Sequence, residues 1–535
     1  MACTGTTGTY PPPTHEDRML QDTIRPDTVT PIPLSQALAV VGLSAPGSSA
    51  GIAIGGVAMS SGAVRAGDLY LGVPGARFHG AAFSVDAAER GAVAVLTDAA
   101  GAEQAARSGL PVIVSDADPR TVAGALAACI YGTDRDRPTT FGITGTNGKT
   151  STAHILDALL HLLGRTTGLS TTAERRIGDE VIVSHLTTPE APDVHALLAR
   201  MHERGVDAAI LEVSAHALTR HRVDGVRFDV AGFTNLSHDH LDDYASMDDY
   251  LDAKQLLFTP QRSDRAVVSL DSEAGGRVAA RSTVPVVTIT SRHDVDANWH
   301  VEVAEESVEG LRFTLSDTVR TGRTLSARLP LIGRHMAANA GLALVMLLES
   351  GVPFDRLGAV LADEPVIPVR LPGRSVRVSG PHAPTVLVDS GHTPDAFEKT
   401  LAALRAVTPG RVIMVTGADG LRDPSKREAM GAAAARGSDE VIITDHHSRT
   451  EDPASIRAAL RRGAADASPS TPVSEIPDPV TAIRCAIERA EPGDSVLWSG
   501  LASQDYRAVG TAELPFSAIE ESRRALAEAG WDVAP

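Results

Sequence analysis

Short apolar runs alternate with Gly/Pro turns and helical stretches along almost the whole chain. Between residues 31 and 137 the runs GDLYLGVPG, GAVAVLTD and LPVIVSD read as strands, and TVAGALAACIYG reads as a helix. This pattern predicts a small N-terminal α/β domain. The polar stretch GTDRDRPTT (132–140) reads as a linker. A central domain is expected over 138–370. There HILDALLHLLG predicts a helix, while VDAAILEVS and FDVAGFTNLS are apolar runs that end in polar residues, as buried parallel strands do. After residue 284 the pattern turns β-rich (VPVVTIT, HVEVAEESVEGLRFTLS), then helical at HMAANAGLALVMLLES. The segment EPVIPVRLPG carries three prolines and marks a boundary near residue 370. Beyond it TVLVDS, RVIMVTG, EVIITD and DSVLWSG are each followed by a helical pattern. Four strand–helix units in a row predict a Rossmann-like, doubly wound domain over 371–535. The fold class is therefore α/β, in three domains.

Length agrees, since 535 residues suit about three domains. The first 30 residues (MACTGTTGTYPPPTHEDR and onward) lack the basic start and apolar run of a signal peptide and read as a disordered tail. A hydrophobic share of 43% is ample for ordinary cores. The formal net charge of −18, with no basic block, argues against nucleic-acid binding. No apolar stretch is long enough for a membrane span. Cys3, Cys129 and Cys485 are far apart and in no metal-ligand spacing, which suits a reducing cytoplasm.

The chemistry concentrates at GITGTNGKTSTAH, residues 142–154. An apolar run, a Gly-rich turn, Lys149, Thr150 and a helical pattern follow one another. That order is strand, phosphate loop, helix. Backbone N–H groups of such a loop face phosphate oxygens, a lysine reaches the outer phosphates, and a threonine hydroxyl can hold Mg²⁺. A plain Gly/Asn turn before a helix explains the glycines but not the Lys-Thr pair. The spacing is not the usual GxxxxGK[ST], because Ile143 stands where the first glycine belongs. A second cluster spans 211–258, where Glu212 ends one buried strand, His240 follows another and Lys254 lies on a later helix. A carboxylate and an imidazole near a phosphate loop can complete Mg²⁺ coordination. Singly, Glu212 reads equally as a helix cap, His240 as a loop histidine and Lys254 as a solvated lysine. Asp239, Asp242, Asp243, Asp248 and Asp249 read as solvated charges.

Taken together, GTNGKT, EVSxHAL, HRV, FTNLxxDHLD and AKxxLF resemble the Mur ligase family in order and spacing. Within it they are similar to the members that add the third residue of the peptidoglycan stem. The resemblance runs from about residue 55 to the C-terminus. It implies three domains, for a uridine nucleotide sugar, for ATP and for an incoming amino acid. The implied activity is ATP-dependent, ADP-forming amide ligation through an acyl phosphate, with ATP and Mg²⁺ as cofactors. Small molecules are then the partners, the protein is a monomer, and it works in the cytoplasm. Lys149, Glu212, His240 and Lys254 become the catalytic residues, with Lys254 carbamylated. Thr150, Glu212, His240 and Lys254 become the metal site. Gly145, Thr146, Asn147, Gly148, Lys149, Thr150 and Ser151 form the nucleotide loop. Asn339 (GRHMAANA), Arg374 (LPGR), and Asp389 and His392 (VDSGHTPDAFEKTL) resemble further nucleotide contacts. Thr187, Thr188 (HLTTPE), Ser214 and Arg222 resemble muramoyl-peptide contacts. Ser61 survives from an Asp-Ser-Arg motif that here reads Ser60, Ser61, Gly62.

The departures gather in the amino-acid domain. Where diaminopimelate-adding members carry DDNPRSEDP, this chain reads Asp445, His446, His447, Ser448, Arg449, Thr450, Glu451, Asp452, Pro453. The GKGHExYQ motif reads Gly500, Leu501, Ala502, Ser503, Gln504, Asp505, Tyr506, Arg507, so Gln504 stands at the acidic position. Arg422 and Arg449 remain to meet a carboxylate, with Gly500 and Gln504 completing the acceptor contacts. A distal ammonium without its acidic partner is poorly satisfied, which predicts an acceptor other than diaminopimelate. A second reading is a natural-product ligase joining a different carboxylate and amine. A third, a non-catalytic binding paralogue, sits badly with an intact Lys149, Thr150 and Glu212.

Overall fold

The computed structural model describes residues 24–75, 77–182, 186–238, 243–319, 322–502 and 505–534. They fall into two compact units. One takes the residues up to Thr140 with Arg165–Phe228, and the other takes Phe141–Gly164 with Asp229 onward.

In the first unit the strands Gly56–Ala58, Asp68–Gly72, Ala94–Asp98 and Val112–Ser115 form a four-stranded parallel sheet in that order. Strand alternation sorts the side chains. Leu69, Leu71, Ala94 and Leu96 face Leu34, Leu38, Leu126 and Ile130 of the helices Leu34–Ala39 and Arg120–Tyr131. Tyr70 and Val95 turn to a second core with Ala81, Ala87 and Ala105. Residues 24–30 correct the tail reading, because Ile24 and Arg25 are buried. The Arg25 guanidinium pairs with both carboxylate oxygens of Asp68, at 2.9 and 2.8 Å. A lone Ile24 and Pro26 flank this arginine in sequence, too little for a hydrophobic period to announce its partner. The same unit holds Thr167–Ser170 parallel to Ala208–Glu212, with Arg175–Ile177 and Glu180–Ile182 added antiparallel. The helix Ala191–Glu203 contributes Ala191 and Ala196 to the first core.

In the second unit the strand ending at Thr144 runs parallel to Val230–Phe233, and Ala266–Ser269, Val286–Thr290 and Trp299–Ser307 extend the sheet. A meander of Trp299–Ser307, Gly310–Asp317 and Thr324–Leu329 closes that side. Ala266–Ser269 is buried at every position, as parallel strands covered on both faces are. Gly310–Asp317 buries alternate residues, Leu311, Phe313 and Leu315, as a half-solvated strand does. The helix Arg334–Glu349 packs on this sheet, and Lys149–Leu162 packs against that helix.

The four predicted C-terminal strands, Thr385–Asp389, Val412–Thr416, Glu440–Ile443 and Ser495–Ser499, are parallel. Ser495–Ser499, last in sequence, lies between the first two. Two short edge strands, Val376–Arg377 and Val473–Glu475, carry no pattern long enough to read. Helices Pro394–Val407, Lys426–Gly437 and Pro453–Ala467 cover one face, and Pro479–Arg489 and Ala518–Glu528 the other. That is a doubly wound sheet. Among the described residues, no helix is long and apolar enough to cross a membrane.

Candidate active site

The strand to Thr144 delivers the chain into a loop whose shape depends on two glycines. Gly145 and Gly148 have φ of +147° and +85°, a region that side chains disfavour. A Cβ on Gly145 would lie 1.9 Å from Thr234 Oγ1, and one on Gly148 would lie 2.7 Å from Asn339 Oδ1. The end of the neighbouring strand holds the loop from beside it. Thr146 N donates to Asn235 O at 2.8 Å and Asn147 N donates to Asn235 Oδ1 at 3.0 Å. Thr234 Oγ1 and Asn235 Nδ2 both donate to Asn147 O. Ser237 N donates to Thr146 Oγ1 at 3.0 Å. Lys149 opens the helix Lys149–Leu162, and its Nζ donates to Thr146 O at 2.8 Å. Thr150 and Ser151 are buried in the first turn. A Gly-cradled turn, a lysine and a hydroxyl at a helix N-terminus form a fitting receptacle for a polyphosphate and its cation.

Lys254 lies on the helix Met247–Gln255 and is 1% exposed. Its Nζ donates to Gly145 O at 2.8 Å and sits 4.2 Å over the Tyr250 ring. The solvated reading of this lysine is therefore corrected: its sequence neighbours are polar, but the helix turns it inward against the phosphate loop. Asn339, on the helix Arg334–Glu349, is buried, and its amide contacts Met336 Sδ. Asn147 Nδ2 also donates to Asp395 Oδ2 at 2.7 Å, and Lys399 Nζ pairs with the same oxygen at 2.9 Å. Both lie on the helix Pro394–Val407, so this contact joins the loop to the doubly wound sheet. Asp389 does not cap that helix; Thr393 does. The Asp389 carboxylate instead accepts from Ser375 N at 2.8 Å and Gly391 N at 2.6 Å. Arg374, half-buried, precedes Ser375, which has a φ of +45°. His392 is exposed, and its Nδ1 contacts Ser390 O.

The first unit gathers a second group. Glu212 is buried at the end of Ala208–Glu212, and its Oε2 accepts from Thr172 N at 3.0 Å. Thr188 Oγ1 donates to Glu212 O at 2.9 Å and accepts from Ser214 N at 3.2 Å. Arg222 Nη1 donates to Thr188 O at 3.2 Å, and its Nη2 pairs with Glu190 at 2.9 Å. Thr172 Oγ1 donates to Thr187 Oγ1 at 2.9 Å. Thr187, Thr188, Ser214 and Arg222, scattered in sequence, thus surround the carboxyl end of one strand. Ser214 also caps the helix Ala215–Thr219. Ser61, half-buried, lies in the short turn Ser61–Ala63 of the N-terminal sheet. His240 and Gln504 lie outside the described residues. Among the described residues, no three His, Cys, Asp or Glu side chains converge on one point.

In the doubly wound sheet, Arg422 is exposed beside Leu421, whose φ is +55°. Arg449 Nη1 donates to Gly420 O at 2.6 Å, and Nη2 approaches Asp419 at 3.4 Å. Arg427 grips Glu451 with two bonds, at 2.6 and 2.9 Å, and holds that carboxyl down to about 2. His447 Nδ1 accepts from Ala508 N at 3.0 Å, on the hairpin Tyr506–Val509 and Ala512–Pro515. That bond leaves Nε2 as the protonated nitrogen of the neutral ring. Gly500, assigned to acceptor contact, has its open side filled by the His446 ring, 2.3 Å from where a Cβ would stand.

Sequence reading missed Ser237 and Asp395, and gave Thr234 and Asn235 no role of their own although FTNLxxDHLD contains both. A polar run at a strand end and an acidic first helical turn are features too common to assign such roles.

Comparison with known proteins bears on the family. Three family models match, described as the Mur ligase family catalytic domain over residues 49–128, the Mur ligase middle domain over 143–347, and the Mur ligase glutamate ligase domain over 373–501. A UDP-N-acetylmuramyl-tripeptide synthetase of Leifsonia xyli subsp. xyli is 54% identical over 465 residues, covering 87% of this chain and 90% of that protein. A UDP-N-acetylmuramoyl-L-alanyl-D-glutamate–2,6-diaminopimelate ligase of Streptomyces coelicolor is 44% identical over 464 residues, covering 86% and 90%. A solved structure of a ligase of the latter name superposes with a TM-score of 0.65 at 24% identity, over 93% of this chain and 100% of that one. The MurF ligase of Thermotoga maritima, solved in complex with ADP, does so with a TM-score of 0.60 at 18% identity, over 89% and 97%. The chain belongs to the Mur ligase family.

Proposed function

We propose that the chain is an ATP-dependent, ADP-forming ligase that adds an amino acid to the terminal carboxylate of a UDP-MurNAc-dipeptide. The observation that carries this reading is the phosphate loop, with Gly145 and Gly148 in left-handed backbone, Lys149 and Thr150 at a helix N-terminus, and Asn235 bracing the turn. Family membership at 54% identity to a UDP-N-acetylmuramyl-tripeptide synthetase supports it. These relatives do not favour the natural-product alternative.

The substrate carboxylate attacks the γ-phosphorus of ATP, ADP leaves, and an acyl phosphate forms. The incoming amine then attacks the acyl carbon, and phosphate departs as the amide bond closes. Such transfers need alignment and charge neutralisation more than an acid–base pair. Lys149 supplies a fixed positive charge beside the outer phosphates. Thr150, Glu212, His240 and a carbamylated Lys254 are the proposed Mg²⁺ site, where the metal would neutralise phosphate charge. Asn339, Arg374, Asp389 and His392 complete the nucleotide contacts. Ser61, Thr187, Thr188, Ser214 and Arg222 hold the muramoyl peptide. Arg422, Arg449, Gly500 and Gln504 meet the acceptor, which is not diaminopimelate, because Gln504 offers no charge to a distal ammonium. The protein acts as a cytoplasmic monomer.

Mass spectrometry of products from ATP, Mg²⁺, UDP-MurNAc-dipeptide and a pooled amino-acid mixture tests this. ADP with one new amide product is the expected result. Hydrolysis without an adduct refutes the ligase reading, and efficient turnover of diaminopimelate refutes the acceptor assignment.

A further inference from the structure

The doubly wound sheet has its crevice where Ser495–Ser499 inserts beside Val412–Thr416. The chain leaves Val412–Thr416 toward the helices of one face and leaves Ser495–Ser499 toward Ala518–Glu528 on the other. At such a switch point the loops diverge, and ligands enter between the strands' carboxyl ends. The residues immediately after the two strands are Gly417 and Gly500. Neither leaves room for a Cβ. A Cβ on Gly417 would lie 2.4 Å from Thr444 O and 2.8 Å from His446 Cδ2, and one on Gly500 would lie 2.3 Å from His446 Cε1 and 2.6 Å from Nδ1.

His446 comes from the end of the third strand, Glu440–Ile443, and leans over the end of Val412–Thr416 beside it and of Ser495–Ser499 one strand beyond. It is 2% exposed. Its Nε2 has no hydrogen-bond partner among the described residues, so a polar bond there does not account for its position. What holds it is shape: two glycines form a slot, and an imidazole fills it. Burial keeps the ring neutral, its pKa held down to about 3. A neutral ring fills the crevice without placing a charge there.

We infer that His446 is a specificity-determining residue that plugs the floor of the acceptor crevice and limits the length of amino-acid side chain the enzyme accepts. This rests on the ligase reading above and deepens it. The acceptor class is an amino acid with a side chain shorter than that of diaminopimelate. A filled crevice discriminates by volume, and a misfit of one methylene is worth about tenfold or more.

The full-length protein, with ATP, Mg²⁺ and UDP-MurNAc-dipeptide, is assayed for adduct with a length series: alanine, 2,4-diaminobutyrate, ornithine, lysine and diaminopimelate. Wild type is expected to drop at least about tenfold in kcat/KM from its best short acceptor to diaminopimelate. His446→Gly is expected to shrink that ratio by about tenfold, with the longer acceptors gaining. His446→Asn, smaller but still polar, gives an intermediate ratio and serves if the glycine variant does not fold. A merely structural histidine would lower all acceptors together and leave the ratio unmoved. An unmoved ratio in a folded variant, or wild-type turnover of diaminopimelate equal to the short acceptors, overturns the assignment. ADP formation with no adduct from any acceptor overturns the ligase reading itself, and this inference with it.

Discussion

Gly148 concentrates the phosphate loop's requirements in one residue. Its φ of +85° suits glycine, and the Asn339 amide fills the space a side chain would take. Gly148→Ala therefore meets backbone strain and a clash at once, about 1–3 kcal/mol, and is expected to lower kcat/KM for ATP by roughly 10- to 100-fold. Steady-state ADP release measures this, and an unchanged value would remove the loop from the nucleotide site. Lys149→Ala removes a charge rather than a shape, and is expected to cost roughly 100-fold or more in kcat. Of this region, the glycines, Lys149 and Thr150 were legible in the sequence, because their chemistry needs those residue types in adjacent positions. The role of Asn235 was not, since this residue braces the loop from 88 positions away through backbone and amide bonds that any polar residue at a strand end suggests equally. Lys254 was legible by family resemblance only; from its polar surroundings, burial against Gly145 was not predictable.

At the scale of elements, alternation marks Gly310–Asp317, where one face alone is buried, and continuous apolar runs mark the parallel strands, which are buried on both faces. Edge strands of two or three residues, such as Val376–Arg377, hold position through neighbours rather than through their own pattern. The segment before Leu34 is the clearest failure of composition as a guide. Arg25 looks like solvent-facing sequence, yet its side chain is 9% exposed against Asp68 at 3%. Removing one partner of a buried pair strands the other charge, so Arg25→Ala is expected to cost roughly 3–5 kcal/mol, read from urea denaturation. A loss below about 0.5 kcal/mol would mean the segment does not dock in solution. The helix Pro394–Val407 is tied to the phosphate loop through Asp395 and Asn147. A hydrogen bond to a charged group contributes about 1.5–3 kcal/mol, and solvent at this half-buried pair reduces it toward 1. A double-mutant cycle of Asn147→Ala and Asp395→Ala is expected to show coupling of about 1 kcal/mol in stability, and additive effects would show the two elements are energetically independent.

Across the whole molecule, buried imidazoles set the response to acid. His195 in the first unit has Nδ1 at 2.6 Å from Thr133 Oγ1 and Nε2 at 3.0 Å from Asp224 O, and burial holds its pKa down to about 4. In the second, burial holds His446 to about 3 and His335 to about 4. All three ionise near 6.5 once the chain unfolds. Below that pH the unfolded chain binds protons that the fold refuses, so stability is complete above about 6.5 and declines as pH falls toward 4. Asp193 opposes this: burial raises its carboxyl to about 6, so the fold binds a proton between 6 and 3.8 that the unfolded chain releases. One carboxyl does not offset three imidazoles, and between 6.5 and 6 it offsets none. From pH 7.5 to 5 the protein is expected to lose roughly 5 kcal/mol, at about 1.4 kcal/mol per pH unit for each uncompensated proton. The urea midpoint, followed across that range, measures the loss. His195→Gln keeps a polar side chain at the Thr133–Asp224 knot without a titrating ring, so it should flatten the slope by about one proton, even if stability at pH 7.5 falls. A slope identical to wild type would show that His195 titrates alike in both states, and that the knot does not hold its ring neutral.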